Sequence, residues 1–286
     1  MESELKKRIT IIGAGSVGTA LALACSKKGY AIAAVYSRNA SDAVKLAQHL
    51  YAGEATALVD RRKLISGIVF LTVPDDAIAA AATTMAAQQK RWKGVTVYHT
   101  SGALASSALS VLKKSGASTG SFHPLQTFPK QGKAGTLRNV YVCVEGDAAA
   151  VSAGKNLASE LGAHPFVLTE KQKVLYHIAA VFSSNYVVTL LSVVEELGLQ
   201  FGREARETIS LFKPLLETTI ENVRRMGATH ALTGPIVRWD VETIRRHTNA
   251  LSNKKFSGIL SLYASLGLAT VRLASQQQGV DRRRKK

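Results

Sequence analysis

Gly13-Ala14-Gly15-Ser16-Val17-Gly18 places three glycines at the spacing of a loop that wraps a diphosphate. In such a loop the first glycine permits a tight turn, the second lets the backbone approach the phosphates, and the third lets the following helix pack closely on a sheet. Apolar residues from Ile9 to Ile12 precede it and an Ala- and Leu-rich run follows. The glycines therefore join a strand to a helix, whose first N–H groups are free to bind the phosphates. A glycine turn with a purely structural role fits this context less well. Further on, the chain reads Val35-Tyr36-Ser37-Arg38-Asn39, without the carboxylate that would accept from a ribose 2′-hydroxyl. Arg38 can pair with a 2′-phosphate and Ser37 can donate to it, which points to NADP(H) as cofactor.

Three further polar clusters each follow an apolar run: Thr72-Val73-Pro74-Asp75-Asp76, His99-Thr100-Ser101-Gly102 and His123-Pro124-Leu125-Gln126. In an open α/β sheet ligands lie beyond the carboxyl ends of the strands, so all three clusters would line one edge. Thr72, Val73, Pro74, Thr100 and Ser101 are expected to contact the cofactor, and His99 and His123 a substrate. Asp75 and Asp76 also suit the start of the next helix. Both histidines read equally well as buried rings satisfied by the backbone.

To position these groups the chain must supply alternating strands and helices. Apolar runs predict strands over 8–12, 31–36, 55–59, 68–73, 95–99, 119–122, 139–144 and 165–168. Between them, amphipathic segments predict helices over 16–28, 41–51, 76–90, 104–114 and 147–161. That rhythm is the signature of an α/β Rossmann domain, a mainly parallel sheet with helices on both faces, over residues 1–168. From 169 to 286 only helical patterns follow, over 171–197, 203–226, 241–250 and 255–278, which predicts a helical substrate or dimerisation domain ending in a basic tail.

With 286 residues, 46% of them hydrophobic and 20% charged, the chain has the composition of an ordinary globular protein. Its net charge of +17 favours anionic partners such as phosphates, acidic metabolites or nucleic acid. Aromatics at 6% and the lack of a base-reading motif argue against nucleic acid. Cys25 and Cys143 are too few and isolated for a disulfide framework or a metal cluster, which suits a reducing, cytoplasmic setting. Lys6-Lys7-Arg8 before the apolar run 9–25 imitates a leader, but the glycines within that run indicate a strand, turn and helix instead. Residues 174–194 carry no Lys, Arg, Asp or Glu and are long enough to span a bilayer. His177, Ser183, Ser184, Asn185, Thr189 and Ser192 break the run, so it is read as a helix buried between domains or subunits, with no membrane partner; a single membrane anchor is the lesser alternative. A homodimer would cover such a surface.

The opening of the chain resembles the NADP-binding domains of pyrroline-5-carboxylate reductase, ketopantoate reductase and the deazaflavin-dependent NADP oxidoreductases. A closer likeness rests on His99-Thr100-Ser101-Gly102-Ala103, His123-Pro124-Leu125-Gln126-Thr127-Phe128, His177 with Ser184-Asn185-Tyr186, and Leu232-Thr233-Gly234-Pro235 with Arg238 and Asp240. Together these resemble an uncharacterised Rossmann-like family with a C-terminal domain of unknown function, similar to the helical domain of 6-phosphogluconate dehydrogenase. The likeness spans nearly the whole chain and implies a fold and an NADP cofactor, with no substrate attached. Relatives that act on hydroxy acids place a Lys and an Asn four residues apart on the first long helix of the second domain. Here that helix is read as offering His177, Ser184 and Asn185, with the lysine absent. By resemblance to pyrroline-5-carboxylate reductase, Thr233 and Arg238 are assigned to an anionic substrate.

The leading expectation is a reductase or dehydrogenase that exchanges hydride between NADP(H) and a C=O or C=N bond of a small, anionic metabolite, with His177, Ser184 and Asn185 polarising the acceptor. The alternative is a non-catalytic NADP(H)-binding sensor or scaffold that has lost its lysine and acts through its helical surface.

Overall fold

The computed structural model describes residues 8–50, 56–57, 67–128 and 137–284. The first part alternates β1 (Arg8–Ile12), α1 (Ser16–Lys27), β2 (Ala31–Tyr36), α2 (Ala40–His49), β3 (Thr56–Ala57), β4 (Ile68–Leu71), α3 (Asp75–Gln88) and β5 (Thr96–His99). A 3-10 turn (Ser106–Leu109) runs into α4 (Ser110–Lys114), followed by β6 (Ser118–Pro124), β7 (Tyr141–Gly146), α5 (Ala148–Glu160) and β8 (His164–Val167). Helices alone then follow: α6 (Glu170–Ser183), α7 (Asn185–Gln200), α8 (Ala205–Ala231), α9 (Val241–Ala250) and α10 (Ser257–Arg284). The strand expected over 55–59 is described only at Thr56–Ala57, and Lys6, Lys7 and the last two residues of the basic tail lie outside the described residues.

One sheet holds the strands in the order β3-β2-β1-β4-β5-β6-β7-β8. All neighbours are parallel except β6 and β7. Strand order reverses between β1 and β4, the place where a Rossmann sheet opens a crevice for a ligand. The sequence dictates this burial: Ile68-Val69-Phe70-Leu71 is buried at every position, as a parallel strand covered on both faces must be. On one face Ile11, Phe70, Tyr98 and Phe122 pack with Leu21 of α1 and Leu157 of α5. On the other, Val69, Leu71 and Val97 meet Ile78 and Met85 of α3, Leu112 of α4, and Trp92 from the stretch between α3 and β5. The rings of Phe70, Tyr98 and Phe122, on three adjacent strands, lie 5.6, 5.3 and 5.7 Å apart. This aromatic layer stiffens the strands whose ends carry the polar clusters.

Packing divides the chain into two compact units, Met1–Asn185 and Tyr186–Lys286. The change of rhythm at residue 168 thus marks the last strand, whereas α6 packs with the sheet. Thr169 starts α6 with a capping box, its N–H donating to Gln172 Oε1 at 2.8 Å, and Ser107 Oγ donates to Glu170 Oε1 at 2.7 Å. The single helix expected over 171–197 is interrupted at Ser184, whose φ of −133° and ψ of −74° are not helical. Within the second unit, Gly198 of α7 admits Thr208 of α8, whose Oγ1 would lie 2.1 Å from a Cβ at that position. The uncharged run 174–194 is not buried on the single chain: Leu175 is 71% and Phe182 63% exposed. By length and composition, the helical stretches Glu170–Gln200 and Lys254–Gln277 are both apolar enough to cross a membrane.

Asp147 ties α5 to the sheet, because its Oδ1 accepts from Ala150 N at 3.0 Å and its Oδ2 from Thr119 N at 2.7 Å. Asp147→Ala removes a helix cap and orphans a strand N–H, and is expected to cost about 1–3 kcal/mol in urea unfolding, with Asp147→Asn recovering much of it. A midpoint equal to wild type would show that the two hydrogen bonds are replaced by water without loss.

Candidate active site

Gly13 leaves β1 with φ of +112°, a conformation that L side chains rarely adopt. A Cβ there would lie 2.6 Å from Thr72 O, and one on Gly18 would lie 2.0 Å from Gly13 O. The end of β4, the turn after β1 and the first turn of α1 therefore touch backbone to backbone. Thr72 Oγ1 seals the contact by donating to Gly13 O at 2.5 Å. Gly15 differs, since a Cβ on it would meet nothing within 4 Å. It is the N-cap of α1, and no side chain caps that helix, so its N-terminal end faces open space with its positive dipole.

A cavity of about 1270 Å³ occupies that space. Of the expected residues, Gly13, Ala14, Gly15, Ser37, Arg38, Thr72, Val73 and Pro74 line it, while Ser16, Val17 and Gly18 form the first turn of α1. Arg38 is exposed at the wall and makes no ion pair among the described residues. Ser37 Oγ accepts from Asn39 N at 3.3 Å, at the start of α2. A helix N-terminus at one place and a guanidinium at another fit a dinucleotide that carries an additional phosphate on its adenosine ribose.

Beyond β5 and β6 lies a second group of polar residues, and here several expectations change. His99 is fully buried; its Nε2 pairs with Ala105 O at 3.0 Å and its Nδ1 accepts from Ser101 N at 3.2 Å. Burial brings its pKa down to about 4, so the ring is neutral. With both nitrogens taken by backbone, His99 builds the 99–105 turn and has none left for a substrate. Ser101 is likewise internal: its Oγ donates to Asp75 Oδ2 at 2.7 Å and accepts from Ala103 N and Leu104 N. Thr100 N extends the sheet ladder to Leu71 O at 3.2 Å. Neither Thr100 nor Ser101 is among the residues lining the glycine-turn cavity.

His123 lies beside Tyr176 and His177. Its Nδ1 shares a 2.7 Å hydrogen bond with the Tyr176 hydroxyl, and burial followed by the Lys173 charge lowers its pKa to about 4. The His177 ring sits edge-on to it at 6.2 Å, with a buried Nδ1 that has no hydrogen-bond partner. Gly102 passes against both rings: a Cβ there would lie 2.5 Å from His177 Nδ1 and 2.9 Å from His123 Nε2. Ser184 stands at the break after α6 and Asn185 begins α7, whereas His177 lies within α6. Thr233 and Arg238 are exposed in the second unit, on the loop between α8 and α9.

The main correction concerns the lysine. Lys173 in the first turns of α6 is fully buried, donating to Ser101 O at 3.0 Å and to Ser121 Oγ. Burial lowers its pKa, partly opposed by the charges of Cys143, Glu145 and Asp75. A lysine is therefore present, and His177 follows it by four residues, the spacing at which hydroxy-acid enzymes carry Lys and Asn. That spacing was the available signal. It is hidden because Lys171 and Lys173 precede an uncharged run and read as solvated cations at a helix start.

A sheet whose order reverses beside a glycine turn and an uncapped helix start defines the class, that of Rossmann-like dinucleotide-fold proteins. Residues 2–124 match the model of a Rossmann-like domain, and residues 140–270 match a domain of unknown function, DUF2520. The chain thus joins a Rossmann-like domain to DUF2520. Among solved structures it is similar to a candidate NADP oxidoreductase from Bacteroides fragilis, at 25% identity and a TM-score of 0.78 over 94% of this chain and 99% of that one. A protein from Thermotoga maritima matches at 25% identity and a TM-score of 0.69, over 94% and 99% of the two chains. A reductive aminase from Aspergillus terreus, solved with NADPH and ethyl levulinate, shares the fold at 18% identity and a TM-score of 0.65, over 94% and 92%. Curated protein sequences contain no match.

The two neutral histidines set a pH dependence. Unfolded, each ring takes up a proton near pH 6.5; folded, neither does so until about pH 4. The unfolded state binds more protons in that window, so stability must fall as pH drops from about 6.5 to 4, by up to about 1.4 kcal/mol per pH unit and ring. Denaturant unfolding across that range tests this, and His99→Gln should flatten the slope; a profile as steep as wild type would remove His99 from the cause.

Proposed function

We propose that this chain is an NADP(H)-dependent oxidoreductase that moves hydride to or from a C=O or C=N bond of a small, anionic metabolite. The observation that carries the reading is Lys173, a buried amine with His123 and His177 beside it, on the same compact unit as a glycine turn and cavity that fit a dinucleotide. The Bacteroides fragilis structure and the aminase solved with NADPH support the cofactor and the class of reaction. The net charge of +17 supports an anionic substrate.

In this reading the helix start at Gly15 binds the diphosphate, and Arg38 with Ser37 binds the 2′-phosphate. Bound NADPH supplies the hydride. Lys173 handles the accompanying proton: a protonated amine has three donors, two of which go to Ser101 O and Ser121 Oγ, and among the described residues the third has no partner. Because burial disfavours the ammonium, the proton leaves readily for an oxygen or nitrogen that gains charge as hydride arrives. His177 and His123 orient the acceptor, and His123, held by Tyr176 and neutral through burial, adds no competing cation. Gly102 keeps the backbone thin enough for both rings to sit at this spot. The sensor or scaffold alternative rested on a missing lysine, and the buried Lys173 weighs against it. The apolar side chains exposed on α6, α7 and α8 favour a second copy of the chain as their cover.

Thermal unfolding with NADPH and NADH side by side tests cofactor choice. NADPH at about 100 times its dissociation constant is expected to stabilise by about 2.7 kcal/mol, NADH by less, and Arg38→Ala to abolish the difference. If neither nucleotide moves the midpoint, the reading fails. Turnover is then followed as NADPH oxidation against keto acids and cyclic imines. Lys173→Met, which nearly conserves volume, should lower kcat by about 10²–10⁴-fold while leaving NADPH affinity intact, and equal rates would exclude Lys173 as the proton donor.

A further inference from the structure

One carboxylate at the ligand edge has no part in the scheme above. Asp75 opens α3 directly after Pro74, which lines the dinucleotide cavity. Negative charge in a first helical turn is favourable, but Asp76 already provides it. What distinguishes Asp75 is its bond to Ser101, a residue from which the rest of the second cluster hangs. Ser101 O accepts from Lys173 Nζ at 3.0 Å and from Ser121 Oγ at 3.3 Å, and Ser101 N donates to His99 Nδ1 at 3.2 Å. A hydroxyl has a single proton to give, and Asp75 Oδ2 takes it at 2.7 Å. The serine lone pairs are thereby turned toward Ala103 N and Leu104 N, which fixes the 101–104 turn and with it the direction of the Ser101 carbonyl.

The same carboxylate acts through its charge. The titratable groups around Lys173 are His99 of β5, His123 of β6, Cys143 and Glu145 of β7, Tyr176 and His177 of α6, and Asp75. Glu145 is committed to the 3-10 turn, accepting from Ser106 N at 2.8 Å and Ser106 Oγ at 2.7 Å. Asp75 alone among these carboxylates favours the protonated form of His99, His123 and Lys173 together, against the burial that opposes it in each.

We propose that Asp75 is the positioning residue of this site: through Ser101 it aims the carbonyl that receives Lys173, and so sets where that lysine delivers its proton. The second half rests on Lys173 being the proton donor of the reaction proposed above; the first does not. The geometry makes Asp75 act at one remove, across a serine, with no contact of its own to a reacting atom.

The test is a direct titration of Lys173 in the full chain. Protein with ¹⁵N-labelled lysine side chains is followed by NMR, with the Lys173 signal assigned by its loss in Lys173→Arg. Asp75→Asn keeps the acceptor for Ser101 and drops the charge; it is expected to lower the Lys173 midpoint by about half to one pH unit, a three- to tenfold loss of proton affinity, and to move the kcat–pH profile of NADPH oxidation by the same amount. Asp75→Glu restores the charge and should return the midpoint toward wild type. Ser101→Ala keeps the charge and cuts the link, so the lysine signal should broaden as its carbonyl partner loses direction. A midpoint unmoved in Asp75→Asn, with an unbroadened signal in Ser101→Ala, would overturn the proposal. A moved midpoint without turnover on any substrate would sink the oxidoreductase reading and leave the hold of Asp75 on Lys173 standing, whereas turnover with an unmoved midpoint would do the reverse.

Discussion

An amino group taken out of water must be given partners, and in this protein that requirement organises the whole ligand edge of the sheet. Removing an ammonium from water costs several kcal/mol even after relaxation, unless hydrogen bonds replace its hydration. Lys173 finds them at Ser101 and Ser121, which stand beyond and within two neighbouring strands, β5 and β6. Those two residues are in place only because the strands are in register, with Thr96–His99 paired to Ser118–Ser121. Behind them the ring layer of Phe70, Tyr98 and Phe122 resists any slip, since moving a strand by one residue would exchange its faces. The core thus serves the site by fixing where one nitrogen can go.

Close approach of backbone is the second constraint, and it recurs at both parts of the molecule that bear on chemistry. At Gly13 and Gly18 the turn after β1 is pressed against Thr72, which leaves the start of α1 exposed at Gly15. At Gly102 the turn after β5 is thin enough for the His123 and His177 rings to meet over it. In each case a missing side chain in one layer makes room for a functional group in the next. Thr72 to Asp75 connects the two, since Thr72 seals the glycine turn, Pro74 lines the cavity and Asp75 holds Ser101.

Much of this was legible before any coordinates. Strands that lie in the sheet interior are continuous apolar runs, so β1, β2, β4 and β5 were read nearly to the residue. The glycine turn and Arg38 were recognisable because their spacing along the chain is local: the turn, its helix and the next strand lie within one supersecondary unit. His99 was open to two readings, and burial of both its nitrogens against backbone decides for the structural one. Lys173 was not legible as a buried group. In one dimension it is a cation at the start of a helix, like Lys171 beside it, and only the sheet edge lying against that turn distinguishes the two.

From the amino-acid order alone came what depends on near neighbours: the period of each element, the α/β class, the glycine turn between β1 and α1, and the basic residue after β2. Tertiary structure alone decided what depends on groups far apart in the chain. It set α6 against the sheet, broke the long apolar helix at Ser184, and gathered Asp75, Ser101, Ser121, His123, Lys173 and His177 from three separate elements and the turn after β5 into one cluster. The reason is physical. Whether a lysine is hydrated or buried depends on which distant carbonyl and hydroxyl face it, and that information exists only once the strands have closed beside the helix.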